Sequence, residues 1–143
     1  MYRNEIIERI LRDYKSQNIN FDVYIIAETQ NHAVADSDKR IIQADESEFF
    51  SRIEFAEIAS AIFNVFGYVN VFYNEVSFIK YVLHNNILPN ECIVYNLSRN
   101  GKSQGKKSLI PSFCDLYGIR YTGSDAFVIS LLRNKIMFSD ILS

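Results

Sequence analysis

The residues best suited to chemistry in this chain are cations in one short polar segment. They are Arg99, Lys102, Lys106 and Lys107. They lie in SRNGKSQGKK, directly after the apolar stretch CIVYNL. Backbone N–H groups beside glycine can approach an anion closely, and the helix expected next would present its positive end. The segment is therefore a candidate site for a phosphate or a carboxylate, and a basic turn that merely lies in solvent is the alternative. RNA binding is disfavoured, because no aromatic side chain is interleaved with the cations.

Regular elements predicted on either side of this loop would place it at the edge of a sheet. CIVYNL is typical of a buried strand, and SLIPSFCDLYG of an amphipathic helix with Ser108 as its N-cap and Pro111 in its first turn. IRYTG is a short strand, and Ser124 or Asp125 opens a further helix. This order is one crossover unit of a parallel sheet, so we expect the basic loop at the carboxyl end of a strand, where such sheets bind ligands.

The preceding part of the chain shows the same alternation. Residues 2–17 carry apolar side chains at three- and four-residue spacing, which predicts an amphipathic helix packed on one face. FDVYIIA is rich in β-branched and aromatic residues and too apolar for a strand that is covered on one face only, which predicts a central strand. Three further elements follow in the sequence. They are a helix over 55–66 that ends at Gly67, a strand VNVFY, and a helix with the apolar stripe Val76, Ile79 and Leu83.

The predicted fold class is therefore α/β, with three layers, a mostly parallel sheet of about four strands, and helices on both faces. No glycine-rich turn follows the first strand, which disfavours a dinucleotide site.

Composition limits the possible functions further. The chain has 143 residues, 48% of them hydrophobic, which suits one folded domain over 1–143. Its net charge of −2 favours neither nucleic acid nor an anionic membrane as a partner, and it has no apolar run near the ~20 residues that span a bilayer. Cys92 and Cys114 lie in apolar runs, which predicts buried thiols of a cytoplasmic protein rather than a disulfide or metal pair.

The stretch around the second crossover also resembles a known family. GIRYTGSD at 118–125, followed by Asn134-Lys135, resembles the amino-terminal (pre-ATP-grasp) domain of D-alanine–D-alanine ligases and related ATP-grasp carboxylate–amine ligases. Asn96, Gly101, Gly105 and Pro111 match the preceding strand end, loop and helix start. The likeness covers about a third of the chain well and extends weakly over 47–68.

The resemblance implies an activity for a longer protein. Such enzymes phosphorylate a carboxylate with ATP and Mg²⁺, and an amine then attacks the acyl phosphate to form an amide, in this family during cell-wall synthesis. Metal ligands and the phosphate-covering loop belong to ATP-grasp domains that would follow Ser143. The resemblance therefore implies no catalytic residue and no metal site here, and an exposed apolar face where those domains, or a second copy in a homodimer, would dock.

It also implies which residues touch ligands. The segment is expected to bind an amino acid or peptide carboxylate, and Lys135 is expected to reach the nucleotide phosphates as a point charge. The implied substrate-binding residues are Asn96, Arg99, Gly101, Tyr121, Thr122, Ser124 and Glu48. In the long polar stretch 28–50, His32 and Glu46 are further candidates beside Glu48, with a solvated loop as the alternative.

Departures from the family pattern bear on the substrate. Asn134 stands where relatives carry Asp, and SRNG and GKKS replace segments that often carry acidic residues. Fewer acids and more lysines should disfavour an ammonium-bearing substrate and favour an anionic one, which makes D-alanine doubtful. Two other hypotheses remain. One is a binding or interaction module that kept the fold without the chemistry. The other is a flavodoxin-like or receiver-type domain, which is disfavoured because the segment after the first strand lacks a phosphate-binding Ser/Thr/Gly loop and a convincing acidic cluster.

Overall fold

The structure, a computed structural model, describes residues 2–16, 21–30, 48–99, 105 and 107–142, without the side chains of residues 2–4 and 14–16. Its strands are β1 (Asp22–Ile26), β2 (Val69–Phe72), β3 (Cys92–Asn96) and β4 (Arg120–Tyr121). Its helices are α1 (Tyr2–Ser16), α2 (Arg52–Phe66), α3 (Glu75–His84), α4 (Leu109–Tyr117), α5 (Ala126–Arg133) and α6 (Lys135–Leu142), with a 3₁₀ turn at Pro89–Glu91. The strands form one parallel sheet in the order β2-β1-β3-β4. The predicted α/β fold is confirmed.

Helices cover both faces of this sheet. One face of β1 packs against α2 through Val23, Ile25 and the following Ala27. Its other face packs against α3 and α4 through Tyr24 and Ile26. Because successive side chains of a strand point to opposite faces, a strand covered on both sides must be apolar throughout. That requirement explains the apolar run VYIIA at 23–27, which follows the exposed Asp22.

The helix α2 begins at a capping box. The Ser51 hydroxyl accepts a hydrogen bond from the Glu54 N–H at 3.2 Å, and the Ser51 N–H donates to a Glu54 carboxylate oxygen at 2.9 Å. The helix ends at Gly67, whose φ of 78° is left-handed and suits glycine. Both ends of this helix are therefore set by local sequence.

We expect Ser51→Ala to lower the free energy of unfolding by about 1 kcal/mol, because the Glu54 N–H loses its acceptor. Urea denaturation measures the change. Ser60→Ala is the matched control, since Ser60 is exposed inside the same helix and alanine is the better helix former there. Equal losses for the two variants would contradict a capping role.

Asp125 is followed by the short helix α5, as predicted, and a separate helix, α6, begins after Asn134, whose side chain accepts a hydrogen bond from the Met137 N–H. Two local predictions need correction. Ser108 does not cap α4: its backbone is helical and its hydroxyl donates to the Gly105 carbonyl instead. In α3 the buried residues are Glu75, Phe78 and Val82, whereas Leu83 of the predicted stripe is exposed.

Large apolar side chains are exposed on every helix, and those of α1, α5 and α6 bear on the packing predicted from the sequence. In α1 they are Ile6, Ile7 and Ile10, so the expected packing of this helix through its apolar face is wrong. In α5 and α6 they include Phe127, Leu132, Ile136, Met137, Ile141 and Leu142. No helix within the described ranges combines the length and hydrophobicity that crossing a bilayer requires.

Both cysteines are free and buried, as predicted. Burial raises the pKa of the Cys114 thiol to about 12 and also raises that of Cys92. A thiol that stays protonated is a poor nucleophile and a poor metal ligand. We therefore assign both residues to the core.

Candidate functional site

Polar groups from three strand ends meet at the carboxyl edge of the sheet. The backbone ladder continues just past the strand bounds, because the Leu97 N–H donates to the Ile26 carbonyl at 2.9 Å and the Thr122 N–H to the Val94 carbonyl at 2.9 Å. Residues 28, 96–99 and 122 therefore leave the sheet side by side. A parallel sheet brings them together although they are far apart in sequence.

A cavity of about 210 Å³ opens at this edge. It is lined by residues 96–99 after β3, Lys107 before α4, Thr122 and Gly123 after β4, and Ile129 of α5. Three of the predicted substrate-binding residues, Asn96, Arg99 and Thr122, share this cavity.

Asn96 and Thr122, which both line the cavity, are joined by one hydrogen bond. The Asn96 N–H donates to the Thr122 hydroxyl oxygen at 3.3 Å. The Asn96 side-chain oxygen accepts from the Ser98 N–H at 3.2 Å and from the Ser98 hydroxyl at 2.9 Å. An Asn side chain that bonds its own backbone two residues on is a standard way to fix a turn, so Asn96 organises the loop.

We expect Thr122→Val to lower the free energy of unfolding by about 1 kcal/mol, because valine keeps the shape and removes the acceptor of the half-buried Asn96 N–H. Chemical denaturation gives the value. Thr122→Ser, which keeps the hydroxyl, should lose clearly less. A Ser variant as unstable as the Val variant would indicate that the methyl group contributes as much to stability as the hydrogen bond, against a dominant role for the bond.

Arg99 is held at three points. Its N–H donates to Glu28 Oε2 at 2.7 Å, its Nη1 donates to the Glu48 carbonyl at 3.0 Å, and its guanidinium lies 4.1 Å from the centroid of the Phe50 ring. Cation–π contact and a charged hydrogen bond restrict a side chain that would otherwise be mobile. Arg99 therefore fixes residues 48–50 against the loop after β3.

The Glu48 carboxylate pairs with Lys107, with 4.0 Å between Nζ and Oε2. Both side chains are partly exposed, so this ion pair contributes little to stability, about 0–1 kcal/mol. Lys107 itself has a left-handed backbone, with φ of 72°. The contacts of Glu48 with Arg99 and Lys107 link residues 48–50, which precede α2, to the wall of the cavity.

A buried carboxyl pair beneath the loop was missed by sequence reasoning. Glu28 and Glu75 are only 5% and 6% exposed. Burial, followed by the charge of Glu75 and a hydrogen bond with it, raises the pKa of Glu28 to about 8, although the backbone N–H groups of Arg99 and Glu28 act in the opposite direction. The sequence did offer one signal that Glu28 is buried, because this residue directly follows an apolar central strand.

The other predicted ligand contacts do not line this cavity. Tyr121 packs against the core cluster around Cys114 and Ile119, and burial together with a hydrogen bond to Asp115 raises the pKa of its hydroxyl to about 12. Ser124 is exposed beside Asp125, which caps α5 through the Val128 N–H. Lys135 is an exposed residue at the start of α6. Five further candidates lie outside the described residues: Gly101, His32, Glu46, Lys102 and Lys106.

The described residues do not by themselves form a site that fits Mg²⁺ and ATP. Across the described part of the chain, no group of three or more His, Cys, Asp or Glu side chains is arranged to hold a metal ion. Arg99 and Lys107 could contact an anion, but each also has a partner within the protein.

A second hollow, of about 590 Å³, lies between α2 and the open edge of the sheet at β2. Apolar residues such as Phe55 and Val71 line it together with Thr29, Arg52 and Tyr73. It shares no lining residue with the smaller cavity.

Comparison of the chain with protein-family models, with curated proteins and with solved structures found no match.

Proposed function

We propose that this chain is the substrate-binding domain of an ATP-dependent carboxylate–amine ligase of the D-alanine–D-alanine ligase type, not active by itself. The observation that carries the proposal is the meeting of Asn96, Arg99, Lys107 and Thr122 in one cavity at the carboxyl edge of a parallel sheet. Ligands of open α/β folds bind at that edge. The free, buried thiols are in keeping with a cytoplasmic enzyme.

The charges around the cavity favour an anionic group. Arg99 and Lys107 contribute two positive charges, and the Glu48 carboxylate next to Lys107 contributes one negative charge. Glu28 lies beneath the loop, and a pKa of about 8 keeps it mostly neutral at pH 7. Among the residues that line the cavity, Arg99 and Lys107 are the charged ones and both are positive, which supports an anionic substrate over an ammonium-bearing one.

The size of the cavity favours a small ligand. At about 210 Å³ it is smaller than the ~300–1,000 Å³ of pockets for drug-sized molecules. A carboxylate at the end of an amino acid or short peptide suits such a space. The remainder of the substrate, the nucleotide and Mg²⁺ would contact the ATP-grasp domains of the intact enzyme, and Lys135 is proposed to meet the phosphates there.

The exposed apolar side chains of α5 and α6 are a candidate surface for those domains. Phe127 is 72% exposed, and Ile136 and Leu142 are exposed to a similar degree. Exposed apolar patches of this kind mark surfaces that contact other domains or chains. A homodimer through the same surface is the alternative that the proposal keeps.

Binding can be tested by nuclear magnetic resonance on the ¹⁵N-labelled chain. The probes are D-alanine, D-alanyl-D-alanine and the dianion glutarate, each added to the millimolar range. We expect glutarate to shift the amide signals of residues 96–99, 122 and 123 at lower concentration than D-alanine. Lys107→Gln should weaken this binding about three- to tenfold, because one partly exposed charge contributes about 1 kcal/mol.

The matched control is Arg12→Gln, which removes one exposed charge from α1. Equal weakening by both variants would mean that net charge, rather than the cavity, attracts the anion. Shifts at other residues only would contradict the assigned site. For the ligase activity, a panel of acids is assayed for ADP release with the full-length protein, and activity with D-alanine alone would refute the anionic substrate.

A binding module without ligase chemistry is the second candidate. The departures at Asn134 and in the lysine-rich loop favour it, since they alter segments that the resemblance links to substrate and nucleotide. The reading frame after Ser143 separates the two proposals. A continuation into a glycine-rich loop and paired acidic metal ligands supports the ligase, and a continuation without them supports the module.

A further inference from the structure

We propose that Glu28 is a positioning residue of the cavity: it shares one proton with Glu75 through a hydrogen bond and, in that protonated form, holds residues 97–99 after β3 in place through the Arg99 N–H. Calling the cavity a substrate site rests on the proposed function. The positioning role of Glu28 does not, and it is tested below without a ligand.

The first step of the argument is the contact that Glu28 makes across the sheet edge. Glu28 Oε2 accepts the Arg99 N–H at 2.7 Å, although the two residues are 71 positions apart. Arg99 in turn contacts Glu48 and Phe50. One carboxyl group at the end of β1 thus anchors the residue on which two segments of the cavity wall depend.

The second step is that this carboxyl group cannot readily be charged. Glu28 is 5% exposed, its Oε1 is completely buried, and no group of the described residues donates a hydrogen bond to that oxygen. Glu75 is 6% exposed and adds a like charge from the first turn of α3. Two adjacent buried carboxylates repel each other and lack solvation, so one of them binds a proton. A proton on Glu28 Oε1, donated to Glu75, would give that oxygen its missing partner.

The third step concerns the other groups around Glu28. Glu75 on α3 is the charged side chain that acts on it, and burial and Glu75 together raise its pKa. The N–H of Arg99, from the loop after β3, and the N–H of Glu28 itself, after β1, stabilise the ionised form in part. Burial and Glu75 outweigh these two hydrogen bonds.

Loss of the shared proton should therefore loosen the cavity wall. With both carboxyl groups ionised, repulsion is relieved when Glu28 moves away from Glu75 or when water enters between them. Either movement displaces the acceptor of the Arg99 N–H. The arrangement of residues 97–99 then depends on pH in the range where Glu28 ionises.

The test is amide hydrogen exchange of the free chain at pH 6 and pH 9, with rates corrected for the intrinsic pH dependence of exchange. We expect the protection factor of the Arg99 amide to fall at least tenfold between these pH values, while amides inside β3 change little. Glu28→Gln is the decisive variant, because its amide can accept the Arg99 N–H and donate to Glu75 at every pH. It should keep the Arg99 amide protected at pH 9.

Glu75→Gln provides an independent check. It removes the repulsion while leaving Glu28 in place, so the fall at pH 9 should be absent there too. An Arg99 amide equally protected at both pH values in the original chain would overturn the proposal. So would a Glu28→Gln protein whose Arg99 amide loses protection as the original does. Because no ligand is added, either result leaves the substrate proposal to be judged separately by the titration described above.

Discussion

Phe78→Ala is expected to lower the free energy of unfolding by about 3–5 kcal/mol. Phe78 is 0% exposed at the centre of the core between the sheet and the helices α3 and α4. Its ring centroid lies 5.4 Å from that of Phe72, 6.0 Å from that of Tyr24 and 6.1 Å from that of Phe113. Truncation removes buried area and leaves a cavity that these rings can fill only in part.

Guanidinium denaturation followed by circular dichroism measures this loss. The matched control is Phe127→Ala, the same substitution at a residue that is 72% exposed, and it should change stability by less than about 0.5 kcal/mol. A domain of this size is typically stable by about 5–15 kcal/mol, so the Phe78 variant should also unfold at a clearly lower temperature. Similar losses for the two variants would contradict the assigned core.

The free energy of unfolding is expected to fall as the pH rises from about 5 to about 8, and Glu28→Gln should abolish most of this fall. The folded state holds a proton on Glu28, whose pKa is about 8, whereas the unfolded chain releases it near the ordinary glutamate pKa of 4.5. Stability decreases with pH wherever the folded state binds more protons than the unfolded state. Each pKa unit corresponds to about 1.4 kcal/mol, so the effect amounts to several kcal/mol at most.

Urea denaturation at pH 5.5, 7.0 and 8.5 tests this expectation. The informative quantity is the stability of Glu28→Gln minus that of the original chain, since other titrating groups cancel in the difference. It should grow with pH and level off above about pH 8, where Glu28 is ionised in both states. A difference that stays constant over this range would show that Glu28 does not carry the proton in the folded protein.

These results bear on how the proposed site would work. Arg99 and Lys107 are the groups suited to an anion, but Glu48, Phe50 and Glu28 hold them in place. Groups that are already positioned lose less conformational entropy when a ligand binds. We therefore expect a variant of Glu28 that cannot accept the Arg99 N–H to alter the geometry of the cavity without removing any of its charges.

Much of the fold could be predicted from local patterns. Apolar runs such as FDVYIIA and CIVYNL predicted the two interior strands, and their alternation with helices predicted a parallel sheet covered on both faces. Gly67 and Asp125 marked a helix end and a helix start correctly. The placement of Asn96, Arg99 and Thr122 at one edge also follows from the strand order alone, because parallel strands end on the same side.

Details that depend on packing could not be predicted in the same way. In α3 the apolar residues surround the helix, so periodicity could not choose between burying Phe78 and burying Leu83, and contact with Tyr24 and Phe72 decided it. Ser108 has the residue type of a cap, but its backbone conformation and the nearby Gly105 carbonyl directed its hydroxyl elsewhere.

The sequence by itself determined the order of strands and helices, since propensity and periodicity act between residues a few positions apart. Only the tertiary structure decided that Glu28, Glu75 and Arg99 meet beneath one loop. Each of the three is an ordinary charged residue where it stands in the chain. Their proximity arises because the central strand β1 ends between its neighbours β2 and β3, and burial there, not residue type, changes how readily Glu28 ionises.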